Sequence, residues 1–355
     1  MSNRSPTSLS RDFARLDVVA LTTIEGFGPA TIRAHLERIR TEARAMDDGL
    51  PPGVFSAAQK AAKKHLATAD RIGARCVMDG DADYPESLLA LQHPPLVLWV
   101  MGDLSAVMGP PVIAIVGTRE CTDYGERVTR SIASAFARAG ATVLSGMARG
   151  IDARAHAAAM ETGGRTAAVL GTGVDVPYPA AHRGLHARIR AHGVVISEGP
   201  PGLPAAQGCF PRRNRIIAAL AGATIVVEAG VKSGALNTAL WSDGIGRKVG
   251  GIPGPIDSPA SLGVNLLLRD GGAHPIATTS DALALLSLSE PGRSAVELHS
   301  PAEQAVWGAL ERAAASFDVL CGRTGLPARL CLETVTALEI RGLVECAMTG
   351  ELRRR

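Results

Sequence analysis

The sequence predicts an α/β protein with a doubly wound parallel sheet, preceded by a helical region and followed by three short helices with a small wing. Two observations predict the sheet. Short apolar runs alternate with helical stretches between residues 112 and 252, and 25 of the 39 glycines lie between Gly117 and Gly272. Continuous apolar strands joined by helices are typical of a parallel sheet that is covered on both faces.

The predicted strands are apolar runs that end in glycine or a turn. They are Val112–Val116, Thr142–Leu144, Thr166–Leu170, Val194–Ile196, Thr224–Val227 and Val249–Ile252. The predicted helices between them are Tyr124–Ala139, Asp152–Thr162, His182–Ala191 and Gly234–Ile245. In such sheets ligands bind at the carboxyl ends of the strands, so the loops at that edge are the candidate site.

In the N-terminal region, residues 1–75, the spacing of the apolar residues predicts helices, with a break at Pro51–Gly53. Within it, Ile24–Ala30 contains two glycines between two apolar-periodic segments. This pattern fits the hairpin of a helix-hairpin-helix (SAM-like) unit, whose backbone amides can approach a phosphate. It fits a plain packing corner equally well, and the sequence leaves both interpretations open.

The C-terminal region follows a predicted linker at residues 289–301 and covers residues 302–355. Its predicted helices, Pro301–Arg312, Ser316–Arg323 and Pro327–Arg341, precede a short hairpin, which suggests a winged-helix domain. Seven acidic residues and seven arginines give this region no net charge. A neutral surface is a poor footprint for duplex DNA, so a protein contact or a spacer role is at least as well supported.

Composition narrows the possible function. The net charge is +3, and aromatic residues make up 3% of the chain, so a nucleic-acid interface must rest on a local cluster of charge. The six cysteines form no C-x-x-C pair, which predicts free thiols in a reducing cytoplasm and no metal site. The sequence contains no apolar run of membrane length and no secretory signal core, so we expect a cytoplasmic protein without membrane contact.

Two clusters of candidate site residues follow the first two central strands. Gly117, Thr118 and Arg119 come directly after the first, and Ser145, Gly146 and Arg149 come after the second. Glycine allows the backbone to approach a ligand closely, and hydroxyl groups can donate hydrogen bonds to it. Guanidinium groups present a fixed fork of donors that suits phosphate. We further expect Asp152 to cap the following helix, and His156 to be structural, since no third metal ligand or nucleophile accompanies it.

Three more clusters occupy later strand ends. They are Gly171–Asp175 followed by Tyr178-Pro179, then Phe210–Arg215, which contains Arg212, Arg213, Asn214 and Arg215, and finally Glu228–Thr238, which contains Lys232, Ser233 and Gly234. We interpret Phe210–Arg215 as a basic turn before a helix, with Arg212 and Arg215 on one face and Arg213 pointing elsewhere. Several separate anion sites at one sheet edge favour the binding of a polyanion such as a nucleic acid. The contacts would be mainly to its sugar–phosphate backbone.

In this order, the clusters resemble the DNA processing protein A family (DprA, also called Smf). The resemblance rests on Tyr84-Pro85 with Pro94-Pro95, then "IVGTR", "SGMARGID", "VLGTGVD…YP", "ISEGP", "FPRRNR", "EAGVKSGALNTA" and "IPGPI", and it spans roughly Asp83 to His274. It implies an extended Rossmann-like, mostly parallel domain at residues 76–288 that binds single-stranded DNA. It also implies protection of incoming strands during natural transformation, loading of the RecA recombinase, and a homodimer.

The resemblance implies that the candidate site residues of these clusters line one phosphate-binding pocket, with no catalytic residue and no cofactor. The alternative is a Rossmann-like hydrolase of nucleoside monophosphates, whose glycine-rich loop is followed by a catalytic glutamate. Here Gly234–Thr238 is followed by Ala239-Leu240-Trp241, and the first carboxylate is Asp243. The missing acid argues against glycosidic hydrolysis. A duplex-DNA regulator acting through the C-terminal region is disfavoured by that region's zero net charge.

Overall fold

A computed structural model describes residues 12–289, 298–310, 314–347 and 350–354. Most of the predicted linker therefore lies outside the described residues. The chain divides into two compact units, Met1–Pro291 and Gly292–Arg355. The boundary expected at residue 75 falls inside the first unit and stays a prediction.

The first unit begins with three helices and continues as an alternation of strands and helices. Its elements are α1 Arg15–Thr23, α2 Pro29–Glu42, α3 Val54–Ile72, β1 Arg75–Met78, β2 Val97–Gly102, β3 Val112–Val116, α4 Asp123–Arg138, β4 Thr142–Ser145, α5 Ile151–Glu161, β5 Thr166–Leu170, α6 Arg183–His192, β6 Gly193–Ser197, α7 Cys209–Leu220, β7 Ala223–Val226, α8 Gly234–Gly244, β8 Lys248–Gly251, α9 Pro259–Arg269, β9 His274–Pro275 and α10 Thr279–Ala284.

All nine strands form one sheet in the order β1-β2-β6-β5-β4-β3-β7-β8-β9. The run from β6 to β9 is parallel, whereas β1 and β2 pair antiparallel at one edge. The prediction of a mostly parallel, doubly wound sheet is confirmed. Strands β1 and β2 were not predicted, and the N-terminal helices α1 and α3 pack against them.

Alternate side chains of β5 enter two different cores. Ala167 and Val169 belong to the core that includes residues of α7 and α8, whereas Ala168 and Leu170 belong to the core that includes residues of the N-terminal helices. The N-terminal helices therefore share a core with the sheet. The carboxylate of Asp79, just after β1, fixes this arrangement by accepting a hydrogen bond from Arg33 of α2 at 2.5 Å.

The second unit is a small winged-helix fold. Three helices, α11 Pro301–Leu310, α12 Phe317–Thr324 and α13 Ala328–Ile340, precede an antiparallel hairpin of β10 Val344–Cys346 and β11 Leu352–Arg354. These elements enclose a core of their own, and the predicted winged helix is confirmed.

In the part of the chain that the structure describes, no helix combines the length and apolar character needed to cross a membrane. The same residues contain no group of three His, Cys, Asp or Glu side chains arranged to hold a metal ion.

Candidate nucleic-acid interface

A cavity of about 570 Å³ lies at the carboxyl ends of the central strands, and we call it the strand-end cavity. Loops after β3, β4 and β7 meet there with the first turns of α7. Its lining includes Gly117, Thr118, Arg119, Ala148, Asp152, Phe210, Pro211, Arg213, Asn214, Lys232, Ser233 and Gly234. Segments far apart in sequence therefore form one concave site, as parallel topology requires.

The loop after β3 carries Arg119 to the mouth of the strand-end cavity. The backbone N–H of Thr118 donates to the carbonyl of Glu228 at 2.7 Å, which ties this loop to the end of β7. Gly150 packs against the loop from the other side, and a Cβ at this position would lie 2.3 Å from the Thr118 carbonyl. Arg119 itself is exposed, with its guanidinium 5.5 Å from the ring centroid of Phe210.

Glu228 is buried and braces the same loop. Its carboxylate accepts hydrogen bonds from the backbone N–H of Thr122 at 3.0 Å and from the Thr122 hydroxyl at 2.5 Å. Gly125 in the first turn of α4 leaves room for this carboxylate, since a Cβ there would lie 2.2 Å from Glu228 Oε2. Glu228 therefore acts as an anchor of the Arg119 loop.

Helix α7 begins at Cys209, so the predicted basic turn is in fact the first part of a helix. Arg213 points inward, as its helical position requires, and is buried. Its guanidinium donates to the carbonyl of Gly146 at 2.8 Å and also to the carbonyl of Val169. A Cβ at residue 146 would lie 2.4 Å from Arg213, so glycine is required for this approach.

A buried polar network lies behind Arg213. The carboxylate of Asp152 accepts from the backbone N–H groups of Gly146 at 3.1 Å and Ala148 at 3.3 Å. Asp152 is therefore not the helix cap that we expected: α5 begins at Ile151, and this side chain instead closes the loop before it. Burial raises the pKa of Asp152 and lowers that of Arg213 to about 10, and the two charges attract one another.

His156 belongs to the same buried region, as its predicted structural role implies. Its Nδ1 lies 2.6 Å from the hydroxyl of Thr166. Burial and the positive charge of Arg213 lower the pKa of His156 to about 3, so the ring is neutral at physiological pH.

The other wall of the strand-end cavity joins α7 to α8. The amide nitrogen of Asn214 donates to the Gly234 carbonyl at 3.1 Å and to Asn237 Oδ1 at 3.3 Å. Ser233 caps α8 by accepting from the backbone N–H of Ala235. Lys232 stands exposed just before this cap, so a cation and a helix N-terminus lie together.

Five of the predicted residues do not line the strand-end cavity: Ser145, Gly146, Arg149, Arg212 and Arg215. Ser145 is buried because its hydroxyl donates to the Ile115 carbonyl at 2.6 Å, and Gly146 is buried against Arg213. Arg149 is exposed beside the cavity. These five positions therefore lie outside the lining of the strand-end cavity, and their predicted DNA contacts stay predictions.

The two remaining arginines of α7 have separate environments. The guanidinium of Arg215 pairs with Glu198 at 2.5 Å and donates to the His93 carbonyl. Arg212 is exposed and lines a second cavity of about 690 Å³, between the N-terminal helices and the sheet edge, which we call the helical-side cavity. Thus Arg212 and Arg215, although three residues apart, do not act at the same place.

Two parts of the chain match known protein families. Residues 75–287 match the family described as DNA recombination-mediator protein A, and residues 289–347 match the DprA winged helix domain. The chain belongs to the DNA recombination-mediator protein A family. The resemblance drawn from the motifs is thereby confirmed.

Individual DprA proteins agree with this assignment. The putative DNA processing protein DprA of Mycobacterium tuberculosis is 43% identical over 262 residues, which cover 72% of this chain and 67% of the relative. The X-ray structure of DprA from Streptococcus pneumoniae has a TM-score of 0.68 at 31% identity, covering 77% of this chain and 98% of that one. The structure of DprA from Helicobacter pylori, described for its unique single-stranded DNA binding mode, has a TM-score of 0.55 at 28% identity, covering 60% and 95%.

Two aromatic residues at this site were not among the predicted binding residues. The ring of Phe210 lies between Arg119 and Tyr178, with ring centroids of the two aromatics 5.1 Å apart. The low aromatic content of the chain favoured contacts mainly to the sugar–phosphate backbone. The position of Phe210 directly before Pro211 and the arginines is the signal that could have identified it.

Proposed function

We propose that this protein binds single-stranded DNA at the strand-end cavity, chiefly through backbone phosphates. The observation that carries the proposal is that Arg119 and Lys232 are exposed at one mouth and have no ion-pair partner among the described residues. Cations of this kind can neutralise phosphates, whereas Arg215 is already neutralised by Glu198. The predicted DNA contacts of Ser233 and Gly234 fit the N-terminus of α8. Those of Gly117 and Thr118 fit the loop after β3, where the Thr118 backbone N–H donates to the Glu228 carbonyl and its hydroxyl is the group that can donate to a phosphate.

The biological role that we propose is that of a recombination mediator. The protein would protect incoming single strands in the cytoplasm during natural transformation and help to load RecA, acting as a homodimer. Membership of a family described as recombination mediators supports this role. A mobility-shift assay of single-stranded and duplex DNA, with and without RecA, tests it, and light scattering tests the dimer.

We further propose that the protein is not an enzyme. Asp152 is the one carboxylate among the described residues that line the strand-end cavity, and it is held by two backbone N–H groups behind Arg213. A buried acid so engaged is poorly placed to donate a proton to a leaving base. Incubation with nucleoside monophosphates tests the alternative, since base release that is lost in Asp152→Asn would favour a hydrolase.

A further inference from the structure

Helix α7 separates two cavities rather than bounding one. Cys209, Arg212 and Ile216 line the helical-side cavity alone, Phe210 and Asn214 line the strand-end cavity alone, and the buried Arg213 borders both. Residues three and four apart share a face of a helix, so the two sets are two faces of the same first turns. A polymer that leaves one cavity across the start of α7 therefore enters the other.

The helical-side cavity combines an apolar wall with cations. Phe27, Leu170 and Leu203 contribute apolar surface, and Lys64 and Arg212 contribute positive charge. Both cations are exposed and have no ion-pair partner in the described parts of the chain. At about 690 Å³ the cavity has the size of a small-molecule site.

Among the other groups that line this cavity, Arg213 adds a buried positive charge, and Glu198 and His65 leave the positive character intact. Glu198 is bound to Arg215 at 2.5 Å, so its charge is already compensated. Burial lowers the pKa of His65, so its ring is neutral at physiological pH. The cavity thus suits a ligand with a planar apolar part and an anionic part.

We propose that the helical-side cavity binds a nucleotide, with the base against its apolar wall and the phosphate held by Lys64 and Arg212. The nucleotide belongs to the single strand that also occupies the strand-end cavity. This inference rests on the proposed function. A free mononucleotide has the same chemistry, and the experiment separates the two sources.

The test uses the full chain and three variants on α3. Thr68→Trp fills the cavity, and Lys64→Ala removes one of its two exposed cations. Lys63→Ala is the matched control, because Lys63 is also exposed but lines neither cavity. Fluorescence anisotropy measures binding of oligothymidylates of increasing length, and calorimetry measures binding of thymidine monophosphate.

For strand binding, both cavity variants should lose about tenfold in affinity for long strands, as expected for one base contact. Short strands that reach only the strand-end cavity should bind all proteins equally. Lys64→Ala should also reduce the salt slope by about 0.7, the value for one phosphate of a single strand. The control should match the parent chain throughout.

Other outcomes show whether the bound nucleotide is free or part of a single strand, or they overturn the inference. If only thymidine monophosphate binding falls in both cavity variants, the site takes a free nucleotide. If neither ligand distinguishes Lys64→Ala from Lys63→Ala, and Thr68→Trp behaves like the parent chain, the inference is overturned. Failure of the proposed function is a different result, because the parent chain would then bind no strand while the mononucleotide titration still tests this cavity.

Discussion

The guanidinium of Arg119 lies over the ring of Phe210, 5.5 Å from its centroid. A cation in this position is attracted by the electron-rich face of the ring, with a free energy of about 0.5–1 kcal/mol at exposed sites. The contact orients an exposed arginine toward the mouth of the strand-end cavity. Phe210 is therefore one of the few aromatic residues of the chain that contribute to the interface.

Replacing Phe210 tests this orientation. Phe210→Ala should weaken single-strand binding several-fold, since it removes both the support of Arg119 and an aromatic face. Phe210→Tyr keeps the ring and should bind like the parent chain. Equal affinities for the alanine and tyrosine variants would show that the ring makes no contribution.

The anchoring of the Arg119 loop by Glu228 should be most sensitive to substitution of Gly125. A Cβ added in Gly125→Ala would lie 2.2 Å from the Glu228 carboxylate and should destabilise the fold by about 1–3 kcal/mol. The displaced loop should also weaken DNA binding through Arg119. Thermal unfolding and anisotropy measure the two effects.

Gly184→Ala in α6 is the control for that variant. A Cβ at residue 184 meets nothing within 4 Å, so alanine there should be neutral or stabilising by about 0.5–1 kcal/mol. If Gly125→Ala is as stable as Gly184→Ala, the carboxylate does not require the space that the structure gives it.

The buried pair of Arg213 and Asp152 should behave as a unit. Arg213→Met leaves the buried Asp152 carboxylate without its compensating positive charge and the Gly146 and Val169 carbonyls without their donor, which should cost about 3–5 kcal/mol. Adding Asp152→Asn to Arg213→Met should cost less than the sum of the single changes. Urea unfolding measures all three variants, and strict additivity would mean that the two side chains do not interact.

The buried His156 should make stability depend on pH. Its pKa falls from 6.5 in the unfolded chain to about 3 in the folded one, so the folded state binds fewer protons between these values. The stability contributed by the neutral ring is fully present above pH 6.5 and decreases as the pH falls toward 3. The loss should approach about 1.4 kcal/mol per pH unit.

Comparison with His156→Gln isolates this effect. The difference in unfolding free energy between the parent chain and the variant should shrink by about 1.6 kcal/mol from pH 6.5 to pH 5. Asp152, whose pKa is raised, shifts stability in the opposite direction but is present in both proteins. A difference that stays constant with pH would refute the buried neutral histidine.

Local pattern was sufficient to predict the parallel strands and the gathering of Arg119 and Lys232 at their carboxyl ends. It failed at α7, because Pro211 next to arginines was interpreted as a turn, although proline is compatible with the first turn of a helix. In the helix that starts at Cys209, Arg213 points inward, Arg215 pairs with Glu198, and Arg212 is exposed in the helical-side cavity. The helical-side cavity is lined by segments far apart in sequence, such as those of Lys64 and Pro201, and no local pattern encodes their meeting.

The most direct test of the central claim is the salt dependence of single-strand binding for Arg119→Ala and Lys232→Ala. Arg138→Ala is the control, since Arg138 is an exposed arginine at the opposite end of α4. We predict tight, salt-sensitive binding of single strands by the parent chain and the control, with each cavity variant lowering the salt slope by about 0.7. Slopes for the cavity variants equal to that of Arg138→Ala would contradict a phosphate interface at the strand-end cavity.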